Sequence, residues 1–285
     1  MAFYFPLIDF RMDSDDFLIS DNLRIDRKPY DLDKAKILLR LSEHDRLSLK
    51  RTEFWAIVDE KGLSSADAYI KTLLLAFHIV GPIRATTFFK FQDYKTVSVF
   101  HERFYYNEKD TFIRCGVQEL RQTSAFCNEL LRIYRRNKRL QTAMVNTYFA
   151  CVTRQWKVAY ICLSAALETM LTYESSPGIT KRLAKTYACL TEQTKRKRNG
   201  VYRRFISLYG IRSRIIHGKY RGLRNRDRNL TLLSEFSDLL RKLWQTVLSN
   251  KEHCRELEKG DDNRKAYFAK LERKYQPPQV KIKHI

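Results

Sequence analysis

The segment 211–219 (IRSRIIHGK) places an arginine and a histidine five residues apart, Arg212 and His217. Histidine takes up or releases a proton near neutral pH, and the arginine guanidinium is a permanent cation whose forked donors suit phosphate. If both side chains reach one phosphate, they can break a phosphodiester bond without a metal ion. Ser213, a small polar residue directly after the arginine, is a supporting candidate.

RNA is the substrate class that suits this pair, because its 2′-hydroxyl is a nucleophile beside the phosphate. Histidine would act as general base or acid, and arginine would stabilise the negative charge that develops on the phosphorane. The products would be a 2′,3′-cyclic phosphate and a 5′-hydroxyl end. DNA lacks the 2′-hydroxyl, so this chemistry would spare it.

An ideal helix does not bring the two side chains together. Five residues turn a helix by about 500°, which leaves Arg212 and His217 about 140° apart and separated by a rise of about 7.5 Å. Gly210 and Gly218, on either side, predict a kink or an end of the helix here. A second copy of the motif in a homodimer would complete each site. The structural alternative is an arginine that bridges carboxylates and a histidine that caps a helix end.

The basic charge of the chain is confined to one region. The net charge is +22, and residues 1–120 hold 18 basic and 19 acidic residues, whereas residues 121–250 hold 26 and 7, and residues 251–285 hold 10 and 6. A confined basic field indicates a polyanionic partner, and we expect RNA, either tRNA or a single strand. The alternatives are a solvated basic face and a surface for an acidic antitoxin or regulatory partner.

Composition excludes several classes of protein. A hydrophobic content of 44% with 13% aromatic residues predicts a folded chain. No apolar run approaches the roughly 18 residues of a membrane-spanning helix, and the first residues lack a secretory signal, so we expect a cytoplasmic protein without a membrane partner. The six cysteines lack C-x-x-C and zinc-ligand spacing, which predicts buried free thiols and neither a metal nor another cofactor.

The pattern of apolar residues predicts an α+β fold. We expect a mixed α/β N-terminal domain over residues 1–114, an α-helical bundle over 115–250, and a charged C-terminal helix and tail over 251–285. Strand-like runs occur at 3–10, 17–25, 54–58, 86–91 and 96–104, with helices at 34–49 and 64–80. Helical spacing then dominates, at 117–140, 142–173, 179–190, 201–209 and 230–248.

Glu168 is a lone acid in the very apolar helix predicted over 142–173. A buried acid needs a partner, so it either pairs with Arg212 or another arginine of the bundle, or it lies at an exposed rim. Tyr209, three residues before Arg212, is expected in the core. Other basic residues of this region are candidates for contacts with RNA phosphates, with a solvated surface as the alternative: Lys195, Arg196, Lys197, Arg198, Arg214, Lys219, Arg221 and Arg224.

Three segments together resemble a known family. Residues 165–171 (AALETML), 179–184 (ITKRLA) and 206–218 (ISLYGIRSRIIHG) are similar to a HEPN domain of the ApeA-like group, and the resemblance covers roughly residues 120–250. It implies an α-helical bundle that dimerises and pairs two R-x4-H motifs across a cleft. It also implies that Arg212 and His217 are the catalytic pair of a metal-independent endoribonuclease in prokaryotic antiviral defence (abortive infection), or of a toxin. The alternative is a non-catalytic HEPN-like module that binds RNA or a partner and dimerises.

Overall fold

The structure is a computed structural model of the 285-residue chain. It describes residues 2–27, 41–59, 63–81, 83, 85–92, 96–102, 114–173, 178–220 and 226–275. The chain divides into two compact units, one of Met1–Arg136 with Cys151–Thr153 and one of Asn137–Ala150 with Arg154–Ile285. The first is built on a β-sheet and the second is helical, so the predicted α+β class is confirmed.

The first unit contains an antiparallel sheet of six strands in the order β2-β3-β4-β1-β5-β6. Four of the predicted strand regions are confirmed, whereas region 17–25 is a hairpin because Asp21 and Asn22 form a turn between β2 and β3. The strands are β1 (Ala2–Leu7), β2 (Asp16–Ser20), β3 (Leu23–Arg27), β4 (Phe54–Asp59), β5 (Thr87–Gln92) and β6 (Thr96–Glu102).

The described residues of the first unit also form three helices: α1 (Glu43–Arg51), α2 (Leu63–Val80) and α3 (Val117–Arg136). Residues 28–40, where the predicted helix 34–49 begins, lie outside the described residues. Helix α3 packs against α2 and the edge strand β2. Its Ser124 Oγ and Asn128 Nδ2 donate to the Ile19 carbonyl oxygen at 2.6 and 3.0 Å, so polar groups of α3 cover part of this sheet edge.

The predicted helix 117–140 is two helices in the structure. Helix α4 (Lys138–Val152) begins after Asn137, whose side-chain oxygen accepts the Leu140 backbone N–H at 2.8 Å. Asparagine in this position caps a new helix, because its side chain satisfies an N–H that has no partner within the helix. Helix α3 therefore belongs with the sheet, and the helical unit begins at Asn137 instead of at residue 115.

The helical unit continues with α5 (Trp156–Leu171), α6 (Ile179–Thr191), α7 (Lys195–Ile216) and α8 (Arg226–Ser249). The predicted helix 142–173 is interrupted at residues 153–155, which separates α4 from α5. Helix α7 is longer than the predicted 201–209. The core of the unit is aromatic as well as aliphatic; its largest fully buried rings are Trp244, Tyr160, Tyr187, Phe205 and Phe236.

Residues after 250 belong to the helical unit and do not form a separate tail up to Tyr275. They fold as α9 (Lys251–Glu258) and α10 (Asp261–Tyr275). Arg264 of α10 is 0% exposed and donates to the carbonyl oxygens of Leu257, at 2.6 Å, Thr169, at 3.2 Å, and Met170. Burial lowers the pKa of Arg264 to about 9, which still leaves the guanidinium charged at neutral pH.

All six cysteines are free thiols, and five are buried, as predicted; Cys162 is half-buried. Burial raises the pKa of the Cys127 thiol to about 12, so it stays protonated and unreactive at neutral pH. None of the helices in the described part of the chain is both long and apolar enough to cross a bilayer.

We predict that Arg264→Ala destabilises the helical unit by about 3 kcal/mol or more, because the buried carbonyl oxygens of Leu257 and Met170 lose this donor and the Thr169 carbonyl keeps only Arg139. Guanidinium denaturation followed by tryptophan fluorescence measures this loss. Arg273→Ala, which removes an exposed arginine of the same helix, is the control and should change the free energy of unfolding by less than about 0.5 kcal/mol. Equal effects of the two changes would contradict the role given to Arg264.

Candidate functional site

The Arg212 and His217 segment forms the end of α7. This helix starts after Thr194, whose side-chain oxygen accepts the Lys197 backbone N–H, and it contains eight basic and no acidic residues. Gly210 lies inside α7, so the helix does not end there. It ends at Ile216, with His217 as its C-cap, and Gly218 directly after the cap has a φ of 66°. The Gly218 N–H donates to the Ile215 carbonyl and the Lys219 N–H to the Arg214 carbonyl, the pattern of a Schellman cap.

Arg212 points from α7 toward α5, where it meets Glu168. The distance from Arg212 Nη2 to Glu168 Oε1 is 3.1 Å, and the two side chains are 33% and 24% exposed. Tyr209 donates its hydroxyl to the same carboxylate oxygen. The Arg212 guanidinium also lies 5.7 Å from the centre of the Tyr209 ring. Of the two possibilities for Glu168, the structure has the one in which it pairs with Arg212.

Tyr209 is the member of this cluster that sequence reasoning assigned only to the core. It is 3% exposed, and its ring stacks on Phe205, so the core assignment holds for the ring. Burial raises the pKa of Tyr209, and the hydrogen bond to Glu168 raises it further, so the phenol keeps its proton and remains a donor. Its position three residues before Arg212, on the same side of a helix, was the available signal.

His217 is the C-cap residue of α7, and its ring is exposed. Within the described residues no hydrogen bond or ion pair engages the His217 ring, and none joins it to Arg212. The single chain therefore leaves the two side chains apart, as the helical geometry predicted. Ser213, next to Arg212, is exposed and does not belong to the Glu168 cluster.

The other predicted RNA-binding residues divide into three groups. Lys195, Arg196, Lys197, Arg214 and Lys219 are exposed. Arg221 and Arg224 lie outside the described residues. Arg198 is only 6% exposed, and its guanidinium donates to the carbonyl oxygens of Glu192 and Gln193 after α6, so we remove it from the RNA-binding set.

One face of α7 gathers exposed cations that sequence reasoning did not group. Arg196, Arg203 and Arg214 are exposed and recur at helical spacing, over about 27 Å of helix. Gly200 and Gly210 lie on the same face, and a Cβ built on either one meets nothing within 4 Å. Packing among the described residues therefore does not require these glycines, although each costs about 1 kcal/mol relative to alanine inside a helix. We call this surface the α7 basic face.

Arg204 differs from the cations of the α7 basic face because it has an acidic partner. Arg204 directly follows Arg203, but its guanidinium pairs with Glu235 of α8. No acidic partner is present for Arg196, Arg203 or Arg214 among the described residues; Arg214 instead lies 6.0 Å above the Tyr220 ring. The α7 basic face is thus a set of uncompensated charges, which favours a polyanionic ligand.

A second exposed surface of the helical unit is apolar. Val145 and Phe149 of α4 are 39% and 55% exposed, and Val158 and Ile161 of α5 are 41% and 38% exposed. The Arg139 side chain at the start of α4 bonds to the Thr169 carbonyl near the end of α5, so the two helices run antiparallel. Their four apolar side chains accordingly lie on one helical hairpin, which we call the α4–α5 apolar face.

In comparisons with known proteins, no family model, no curated protein and no solved structure matches this chain. The Arg212–Glu168 pair, the exposed His217 ring and the α7 basic face are therefore the features that bear on function.

A double-mutant cycle tests the Glu168–Arg212 contact. We predict that Glu168→Gln and Arg212→Gln are coupled by about 1 kcal/mol in the free energy of unfolding, a modest value because both side chains are partly exposed. Urea denaturation of the four proteins gives the coupling energy. The pair Glu168→Gln and Arg203→Gln is the control and should be additive within about 0.5 kcal/mol. Additivity in the first cycle would show that the contact is absent.

Proposed function

We propose that the protein is a metal-independent endoribonuclease of HEPN type that acts as a homodimer. The observation that carries the proposal is the exposed His217, which stands at the end of a helix with eight basic and no acidic residues. An exposed imidazole beside uncompensated cations can meet a phosphate, take up the proton of the 2′-hydroxyl, and return a proton to the leaving 5′ oxygen.

Arg212 supplies the charge that stabilises the phosphorane. Glu168 and Tyr209 restrict where its guanidinium lies, and Arg212 Nε is buried and meets no acceptor among the described residues. A donor without an acceptor is costly, and a phosphate oxygen would satisfy one of the N–H groups that Glu168 leaves free. Glu168 and Tyr209 are thus positioning residues.

The homodimer resolves the separation between the two catalytic side chains. Arg212 faces α5, whereas the α7 basic face and His217 lie on other sides of α7, so the Arg212 and His217 of one chain are poorly placed for one phosphate. Two chains that associate so that their motifs face each other form one shared cleft with two arginines and two histidines. The α4–α5 apolar face supports association, because its four exposed apolar side chains would leave water at an interface between two chains.

The cellular role that fits this chemistry is prokaryotic antiviral defence by abortive infection, or the action of a toxin, in the cytoplasm. Each of these roles needs an activity against tRNA or single-stranded RNA that is held in check until it is required. An acidic antitoxin or regulatory partner would suit the α7 basic face while the enzyme is inactive.

Cleavage in EDTA is the direct test. We expect wild type to cut tRNA or single-stranded RNA and to leave 2′,3′-cyclic phosphate and 5′-hydroxyl ends. Arg212→Ala and His217→Ala should each slow cleavage by about 100-fold or more. His44→Ala and Arg273→Ala, which remove an exposed histidine and an exposed arginine elsewhere, are the matched controls and should cut like wild type.

Two results would overturn the nuclease proposal. One is equal cleavage by wild type and an Arg212→Ala/His217→Ala double variant, which indicates a contaminating nuclease. The other is the absence of cleavage by wild type on both RNA classes. Light scattering of the same samples should give the mass of two chains, and Phe149→Asp should give one chain if the α4–α5 apolar face forms the interface.

The α7 basic face gives a separate prediction about RNA binding. In a His217→Ala background, Arg203→Gln should weaken the binding of single-stranded RNA. It should also reduce the slope of the logarithm of the association constant against the logarithm of the salt concentration by about 0.7, the value for one phosphate contact. Arg204→Gln is the matched control, because Arg204 already pairs with Glu235. Fluorescence anisotropy at several salt concentrations measures both. Equal losses of RNA affinity in the two variants would mean that RNA binds through the general positive charge of the unit and not through this face.

A non-catalytic module is the second candidate. It is favoured by one observation, the existing Arg212–Glu168 pair, which is also what a purely structural arginine would form. In that case RNA or an acidic protein would bind the α7 basic face, His217→Ala would leave RNA binding unchanged, and wild type would not cleave.

A further inference from the structure

A pocket in the first unit lies where the chain leaving β1 meets the end of α1. Its volume is about 450 Å³, and its lining includes Leu7, Phe10, Arg11, Arg51 and Thr52. Leu7, Phe10 and Thr52 are buried and form the floor, whereas Arg11 and Arg51 are exposed at the rim. The volume falls within the range of about 300–1,000 Å³ that is typical of small-molecule sites.

The two rim arginines lack the aspartate partners that some arginines of this unit have. Arg24, Arg27 and Arg114 each form an ion pair with an aspartate. Arg11 and Arg51 have no such pair among the described residues. Two unpaired guanidinium groups at the rim of one pocket suit an anion with several oxygen atoms, and phosphate matches the forked geometry of arginine.

Backbone hydrogen bonds hold the main chain of Arg11 and Arg51 in place. The Arg11 carbonyl oxygen accepts the Cys115 N–H at 2.8 Å. Arg51 is in the last turn of α1, and the Thr52 N–H after it donates to the Leu49 carbonyl at 3.1 Å. Only the side chains therefore need to be ordered when an anion binds, which lowers the entropic cost of binding.

Two carboxylates line the same pocket, those of Asp9 and Glu53. Neither forms an ion pair with Arg11 or Arg51, so opposite charges face one cavity without neutralising each other. Asp9 has a φ of 63°, the one positive φ outside glycine in the described residues. Such a conformation costs about 1 kcal/mol or more and is enriched at ligand sites.

We propose that this pocket binds a phosphorylated small molecule of nucleotide size. Arg11 and Arg51 hold the phosphate, and Asp9 and Glu53 accept hydrogen bonds from ligand hydroxyl or amino groups, as carboxylates do with ribose. The apolar floor of Leu7 and Phe10 receives the remaining, less polar part of the ligand. This site does not depend on the proposed RNA chemistry, because all of its residues belong to the first unit.

Isothermal titration calorimetry on the full chain tests the site, with AMP, GMP, ATP and inorganic phosphate as probes. We expect at least one nucleotide to bind and Arg11→Gln/Arg51→Gln to weaken it about 10-fold or more. Arg121→Gln/Arg136→Gln removes two exposed arginines of the same unit and should bind like wild type. Asp9→Asn/Glu53→Gln should lower the affinity for the nucleotide more than the affinity for inorganic phosphate. Circular dichroism checks that each variant is folded.

Three results would overturn the proposal. The first is that none of the nucleotides binds wild type at millimolar concentration. The second is that binding persists unchanged in Arg11→Gln/Arg51→Gln, which would assign the nucleotide to another surface such as the α7 basic face. The third is that inorganic phosphate binds as tightly as every nucleotide, which would reduce the pocket to an anion site. RNA cleavage assays on the same variants keep this result separate from the nuclease proposal.

Discussion

Arg264 lies fully buried at the point where α5, α9 and α10 meet. The last carbonyl groups of a helix have no partner within it, and Arg264 donates to such groups at the ends of both α5 and α9. Arg139 of α4 donates to the end of α5 as well. Two cations at this end also oppose the negative end of the helix dipole. Glu168 is in the last turn of α5, so the acid that holds Arg212 stands on a helix end fixed by two other arginines.

The cations of α7 have different environments on different sides of the helix. Arg198 donates to carbonyl oxygens that follow α6, and carboxylates on α8 and α5 neutralise Arg204 and Arg212. The α7 basic face keeps its charge because no acid of the described residues reaches it. The same helix therefore contributes stability on one side and an electrostatic field on the other, which is why its total charge alone does not locate a ligand.

The part of this site that sequence could predict follows from local rules. Gly218 ends α7 because glycine adopts the left-handed conformation of a helix end without strain. Glu168 was expected to need a partner because a lone acid in an apolar helix does. Strands β1, β4, β5 and β6 and the positions of α6 and α8 followed in the same way from apolar spacing, whereas the hairpin of β2 and β3 was predicted as a single run.

The rest depended on contacts between residues far apart in the chain. The break at Asn137 lies in a polar, helix-compatible stretch, and its cap becomes visible only from the Leu140 bond. Arg198 is one of four consecutive cations that look alike in sequence, and only the position of α6 determines which of them is buried. The packing of α10 could not be predicted from its charged composition either, because the acceptors of Arg264 lie on α5 and α9.

Asn137 has a further consequence for synthesis. Besides capping α4, its side-chain nitrogen donates to the Glu258 carbonyl at 2.8 Å, so the first residue of the helical unit is tied to one 121 residues later. At about 5–20 residues per second, a ribosome needs on the order of ten seconds to make that stretch. All residues of the sheet unit precede Arg154. The sheet unit can thus complete its fold on the ribosome, whereas the helical unit closes only when translation has passed α9.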